Sequence, residues 1–194
     1  MKKDKLIKRP SMEELQEELN RVKHKKTYNS VLRSTIFTLI TIAAVAVLVA
    51  TLWMPVLRIY GSSMSPTTED GDIVICVKSE KMNTGDIVAF YYNNKILVKR
   101  VIAKSGDWVN VSEDGTVFVN NEKIDEPYVS EKALGECDIE FPYQVPEKRI
   151  FVMGDHRSVS VDSRSTSVGC VAEEQIVGKI VYRVWPLNHI SSIK

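Results

Sequence analysis

The sequence predicts a mainly β protein tethered by one N-terminal transmembrane helix, and three observations lead there. Residues 34–54, STIFTLITIAAVAVLVATLWM, form a 21-residue run without a charged side chain. From residue 72 onward, short segments rich in Val and Ile alternate with turns containing Asn or Gly. No long amphipathic helical period follows residue 55. The expected organisation is a basic cytoplasmic arm over 1–33, a transmembrane helix over 34–54, and an extracytoplasmic domain over 55–194. With 194 residues, the chain is long enough for an anchor and one sizeable domain.

The arm should contain a short amphipathic helix over 11–24. Ser11 is placed as its N-cap, and Glu14, three residues later, completes a capping box. Met12, Leu15, Leu19 and Val22 recur at spacings of three and four. Such a stripe fits an arm near the membrane or against a partner, and equally a solvated tail with some helicity. Residues 1–33 hold ten Lys or Arg against five Asp or Glu, whereas the remainder holds 16 against 20. The basic excess beside the apolar run places the arm in the cytoplasm. The overall charge of +1 gives no support for a nucleic-acid partner.

At about 1.5 Å per residue, the apolar run spans roughly 30 Å, the thickness of a hydrocarbon core. Thr35, Thr38 and Thr41 can hydrogen-bond back into the helix, so they do not oppose insertion. Trp53 stands where an interfacial aromatic belongs, and Pro55 ends the helix. A cleaved leader is the competing reading. It is disfavoured because 33 residues precede the run, and the small-residue triplets at 44–46 and 48–50 lie inside it.

The β candidates are DIVICV (72–77), DIVAFYY (86–92), KILVKRVIAK (95–104), WVNVS (108–112), TVFVN (116–120), RIFVMG (149–154) and QIVGKIVYRVW (175–185). Asn93-Asn94, Asp114-Gly115 and Asn120-Asn121 supply turns. An antiparallel, partly barrel-like domain fits this pattern. Residues 125–148 read as a long connection of a kind usually kept for a structural or functional use. Cys76, Cys137 and Cys170 include no C-x-x-C pair, so no metal or cofactor is expected. One pair could oxidise outside the cytoplasm, or all three could stay free, with Cys76 in the core.

Ser63 lies in GSSMSPT (61–67), close behind the apolar run. Gly61 permits an unusual backbone and Pro66 constrains the turn. Such a turn could expose Ser63 as a nucleophile, or the segment could be a plain Ser/Gly linker with Ser62 and Ser65 as rival hydroxyls. A serine needs a base. His24 lies in the arm and His189 near the end, which leaves His156 as a minor candidate. Lys99 is the stronger one: on a strand it shares a face with Leu97 and Val101. Burial there would lower its pKa from about 10.4 toward neutrality. The alternatives are a lysine facing solvent or one paired with a carboxylate. In GDHRSVSVDSR (154–164), Ser160, Asp162 and Arg164 share strand parity. Ser160 could orient a neutral lysine. Asp162 could pair with Arg164, and Asp155 with Arg157. A solvated loop with ordinary ion pairs would read the same way.

GSSMSPT (61–67), GDIV (71–74), GDIVAF (85–90), KRVIAKSGD (99–107) and GDHRSVSVDSR (154–164), in this order behind a single anchor, resemble the bacterial type I signal peptidase family of the Ser/Lys kind. The resemblance covers about residues 34–185. It implies a β peptidase domain of the signal peptidase type, with Ser63 as nucleophile and Lys99 as general base. Ser160 would orient the lysine, Asp162 and Arg164 would brace the loop, and Met64 would pack beneath the turn. The Ser63 N–H would form part of the oxyanion hole. Gly61 stands where some members carry a second, hydroxyl donor. The implied substrates are signal peptides of exported preproteins, cut after small residues in an Ala-x-Ala pattern, at the lipid bilayer and near the secretion translocon. A peptidase dedicated to one envelope, pilus or conjugation partner, or a non-catalytic binding domain, are the alternative readings.

Overall fold

Ser11 opens the first element. Its N–H donates to Glu14 Oε2 at 2.9 Å, and its Oγ accepts the Glu14 N–H at 3.3 Å. This reciprocal cap starts α1, Met12–Trp53, a helix of 42 residues. The computed structural model describes residues 11–79 and 81–193; the expectations for residues 1–10 and for the Trp53 ring lie outside the described residues. The short helix expected over 11–24 does not stop there. Residues 25–33 contain neither Gly nor Pro, so nothing interrupts the backbone ladder before the apolar run begins. Thr35, Thr38 and Thr41 each donate a hydroxyl to the carbonyl four residues earlier, at 2.9 Å. Among the described residues, α1 is the one helix long and apolar enough to cross a membrane. The chain divides between Val49 and Ala50 into two compact units.

The second unit is β. Its strands are β1 (Val56–Arg58), β2 (Ile73–Val77), β3 (Ile87–Tyr92), β4 (Lys95–Ala103), β5 (Trp108–Val111), β6 (Val117–Val119), β7 (Glu122–Lys123), β8 (Tyr143–Gln144), β9 (Arg149–Met153), β10 (Val171–Ala172), β11 (Ile176–Trp185) and β12 (Ser191–Ser192). The larger sheet runs β1-β2-β11-β3-β4-β9-β10, with β12 added to β11; the smaller runs β7-β6-β5-β8. Every pairing is antiparallel. The larger sheet is open, since its edges β1 and β10 do not pair with each other. Asn93, Asn120 and Asn121 take positive φ at the tight turns, the conformation that Asn tolerates best after Gly.

Both faces of the larger sheet are covered. Ile87 and Ala89 of β3 pack in one cluster with Ile59, Met64, Val74, Cys76 and Ile180. Their neighbours Val88 and Phe90 pack in another with Val101, Ile150, Val152 and Val171. Alternation on β4 follows, with Leu97 and Val101 in the second cluster and Val98 against the first. A third cluster, including Val109, Val117, Phe151 and Met153, joins the smaller sheet to the larger. Burial of these side chains is the main favourable contribution, about 1.5–3 kcal/mol for each large one fully removed from water.

All three cysteines are free. Burial pushes the Cys76 and Cys170 thiols up to about 11. Cys137 is only partly buried, its Sγ 3.6 Å from the Ile139 carbonyl. A thiol reagent added to the native protein should therefore modify Cys137 first, and the other two only on unfolding. Mass spectrometry of the labelled chain checks this. Native labelling of Cys76 at the rate of Cys137 would contradict the core described above.

Candidate active site

The turn after β1 brings Ser63 to the base of a cleft. Gly61 adopts φ +88° and donates its N–H to Asp70 Oδ1 at 2.8 Å. A side chain would be strained in that left-handed conformation, which is why glycine suits the position. Met64, 2% exposed, packs down among Ile59, Val74 and Cys76, so the turn is anchored in the core. The Ser65 N–H donates to the Ser62 carbonyl at 3.1 Å and the Thr68 N–H to that of Met64 at 3.0 Å. Ser63 is thereby held on a structured turn rather than a linker.

Lys99 comes from β4, opposite Val88 of β3. It is 3% exposed, and its Nζ lies 2.7 Å from Ser63 Oγ. The rival hydroxyls of Ser62 and Ser65 make no such contact. Burial lowers the Lys99 pKa to about 8, partly opposed by the negative charge of Asp162 and Asp155 and assisted by Arg164. A substantial fraction of neutral amine is thus available in the alkaline range next to a hydroxyl. His156 is turned elsewhere: its Nδ1 is 3.3 Å from the Ser62 carbonyl.

The cleft itself has a volume of about 710 Å³. Residues 57–61 form one wall and residues 94–98 the other, with Ser63 and Met64 between them.

The 154–164 loop differs from the sequence reading in form and in pairing. It consists of turns and bends, so strand parity does not apply. Asp162 and Arg164 do pair, with Nε to Oδ1 and Nη2 to Oδ2 both at 2.8 Å. Burial pushes the Asp162 carboxyl up, but Arg164 and the Gly154 N–H outweigh it and hold the carboxyl below its ordinary value. Asp155 and Arg157, expected to pair with each other, do not. Asp155 binds Arg100, Nε to Oδ1 at 2.9 Å and Nη2 to Oδ2 at 2.7 Å. Arg157 binds Glu126 through both Nη1 and Nη2. Thr67 donates its hydroxyl to Asp155 Oδ2 at 2.5 Å and accepts Arg100 Nη2 at 3.3 Å. Thr67, Arg100 and Glu126 had no place in the sequence reading of the site. Arg100, beside Lys99 on a strand of apolar residues, invites a buried partner, but its position in the chain does not say which one.

Ser160 is 1% exposed, and its hydroxyl lies beside the Asp162 carboxylate, which it helps to hold below its ordinary value. Gly154 separates it from the nucleophile turn. A Cβ on Gly154 would stand 2.2 Å from Ser160 Oγ and 2.5 Å from the Ser63 carbonyl oxygen. The His156 N–H donates to that same carbonyl at 3.1 Å. Only glycine lets the loop approach Ser63 this closely. No group of three or more His, Cys, Asp or Glu that could hold a metal occurs among the described residues.

Two expectations follow from this geometry. Gly154→Ala must displace Ser63 or Ser160, and its turnover should fall about a hundredfold or more, read as kcat beside the melting temperature. Wild-type turnover in Gly154→Ala would refute the close approach. Lys99 has its pKa lowered on folding, so the folded state binds fewer protons, and stability rises with pH from about 8 toward 10.5. At pH 7 the buried amine costs on the order of 3 kcal/mol relative to its neutral form. Lys99→Met should therefore be inactive yet more stable at pH 7, with the gain shrinking as pH rises to 10; denaturant melts at both pH values measure it.

Comparison with known proteins identifies relatives of the chain. A family model described as signal peptidase, peptidase S26, matches residues 32–185. The chain is 36% identical over 147 residues to thylakoidal processing peptidase 1, chloroplastic, of Arabidopsis thaliana, which covers 67% of this chain and 42% of that protein. It thus spans less than half of that relative's length. It is 37% identical over 150 residues to signal peptidase IB of Staphylococcus aureus, covering 67% of this chain and 77% of the relative. A crystal structure of a signal peptidase I from Enterococcus faecalis aligns with 51% of this chain and 96% of that one, at 28% identity and a TM-score of 0.42. By the family match over residues 32–185 and the identity to the staphylococcal enzyme, the chain belongs to the signal peptidase family, peptidase S26.

Proposed function

We propose that this protein is a membrane-anchored serine endopeptidase that removes N-terminal signal peptides from exported precursors, with Ser63 as nucleophile and Lys99 as general base. The observation that carries the reading is the 2.7 Å contact between Lys99 Nζ and Ser63 Oγ, made by a buried amine whose pKa is about 8. Neutral Lys99 takes the Ser63 proton as Oγ attacks the scissile carbonyl carbon. The ammonium then returns that proton to the leaving amine. The same amine, neutral again, activates the water that releases the acyl group from Ser63.

The oxyanion requires donors aimed at it. The Ser63 N–H serves as one. Gly61 offers no side chain, and its own N–H is already given to Asp70, so a second donor has to be another N–H or a water. Ser160, Asp162 and Arg164 support the base and its loop. The cleft accepts the precursor as an extended strand, whose backbone hydrogen-bonds while alternate side chains enter shallow pockets. Small residues in an Ala-x-Ala pattern fit this arrangement, and charged ones would lose hydration there.

In this reading residues 1–33 are cytoplasmic, 34–54 span the bilayer and 55–194 are extracytoplasmic, near the translocon that delivers the precursors. The positive-inside bias supports that orientation.

The central test incubates the detergent-solubilised chain with a precursor bearing an Ala-x-Ala site. Ser63→Ala and Lys99→Ala should both abolish cleavage. Lys99→Arg should also fail, because a guanidinium stays protonated. Since the neutral amine is the active form, kcat/KM should rise with pH through a midpoint near 8. Near-normal rates in Lys99→Arg would sink the dyad. Separately, protease added to intact protoplasts should digest the domain after residue 55 and spare the arm; full protection of that domain would reverse the orientation.

A further inference from the structure

The sequence reads 125–148 as one long connection, but β8 interrupts it, and the part between β7 and β8 lies against the charged groups behind the dyad. Glu126 is 7% exposed and binds both Nη atoms of Arg157. The Tyr128 ring sits 3.8 Å from the Arg100 guanidinium carbon, and its hydroxyl donates to Glu126 Oε1 at 3.2 Å. The Ala133 and Leu134 carbonyls accept Arg164 Nη1 at 3.3 and 2.5 Å. Asp138 Oδ1 accepts the Thr166 N–H at 2.5 Å. The seat is tight: a Cβ on Gly135 would stand 2.4 Å from the Arg157 carbonyl oxygen and 2.7 Å from Arg164 Nη1.

Each arginine under this connection holds a part of the candidate site. Arg100 follows the base in sequence and joins Asp155 to Thr67, the last residue of the GSSMSPT turn. Arg157 donates from Nε to the Gly154 carbonyl at 3.0 Å. Arg164 holds Asp162 and the Ser160 carbonyl. The nucleophile turn, the base strand and the close-approach loop are therefore tied to one another through guanidinium groups. Asp155 holds the edge of the Arg100 guanidinium and the Tyr128 ring covers its face, so Arg100 is fixed from two directions.

The geometry points to Glu126 and Tyr128 as positioning residues of the Ser63–Lys99 site: the 125–142 connection is a strap that clamps Arg100 and Arg157 and so holds Asp155 and Gly154 against the nucleophile turn, which ends at Thr67. This rests on the dyad reading above. Tyr128 does not line the cleft, so the strap acts on the geometry of attack and leaves peptide binding alone.

The test uses the full-length chain in detergent and a precursor peptide, with kcat and KM determined separately and the folded fraction taken from circular dichroism at the assay temperature. Tyr128→Leu should lower kcat per folded molecule by about tenfold to a hundredfold, with KM within about twofold. Tyr128→Phe keeps the ring over Arg100 and should restore most of the loss. Thr67→Val removes the hydroxyl link to Asp155 at nearly constant volume and should give the same kcat-selective loss, rescued by Thr67→Ser; it decides the matter should Tyr128→Leu not fold. The strap is overturned if folded Tyr128→Leu turns over like the parent, if Tyr128→Phe is as slow as Tyr128→Leu, or if the loss tracks the folded fraction alone. If Tyr128→Leu does not fold, wild-type kcat in Thr67→Val overturns it. A Ser63→Ala control assayed beside them separates the two readings, since activity there would dismiss the dyad rather than the strap.

Discussion

An amine that has to lose its charge inside a folded domain is the constraint on which the rest of this structure turns. Lys99 is 3% exposed, and burial, assisted by the positive charge of Arg164, drives its pKa down. Two carboxylates, Asp155 and Asp162, act on it in the opposite sense. Left unneutralised, they would favour the charged lysine further. Each carboxylate is instead engaged by an arginine in a two-point contact, Asp155 by Arg100 and Asp162 by Arg164. The arginines occupy the carboxylates, and the lysine is left with a serine hydroxyl as its hydrogen-bond partner.

Those pairs are poor candidates for net stabilisers. Arg100–Asp155, Arg157–Glu126 and Arg164–Asp162 all lie at side-chain exposures of 0–2%. Taking both charges out of water costs several kcal/mol per ion, and apolar replacements of a buried pair are often neutral or stabilising. Their value here is directional. A bidentate guanidinium fixes distance and plane together, and the loops they join have no sheet hydrogen bonds to do so. The stability that carries this load comes from the clusters on the two faces of the larger sheet.

The same division explains the smaller features of the site. Gly61 and Gly154 serve different needs, the first a left-handed turn and the second an approach that any Cβ would block. Met64 roots the nucleophile turn in the core one residue beyond the serine, so apolar packing and the chemical group meet at adjacent positions. Ser160 belongs to the same 154–164 loop, and its buried hydroxyl helps Arg164 and the Gly154 N–H to keep the Asp162 carboxyl below its ordinary value.

Short-range order could be read from the chain before any fold was known. The capping box at Ser11, the threonine back-bonds in the apolar run, the turns at Asn93 and Asn120, and the alternation along β2 and β4 all arise from residues within a few positions of one another. The Asp162–Arg164 pair belongs with them, at a separation of 2. Ser63 and Lys99 are 36 apart, and it was a motif resemblance, not local physics, that brought them together in advance. Where neither a short separation nor a motif was available, the sequence misled. Proximity along the chain favours Arg157 as the partner of Asp155, whereas the fold gives Asp155 to Arg100 at a separation of 55 and Thr67 at 88, and gives Arg157 to Glu126 at 31. The continuous α1 is the converse case, because the absence of any breaker over 25–33 could be read locally but was not. Periodicity and capping depend on neighbours along the chain, so sequence suffices for them. The choice among several buried carboxylates for one arginine depends on which are close in space and desolvated together, and that is decided only when the sheets and the strap have packed.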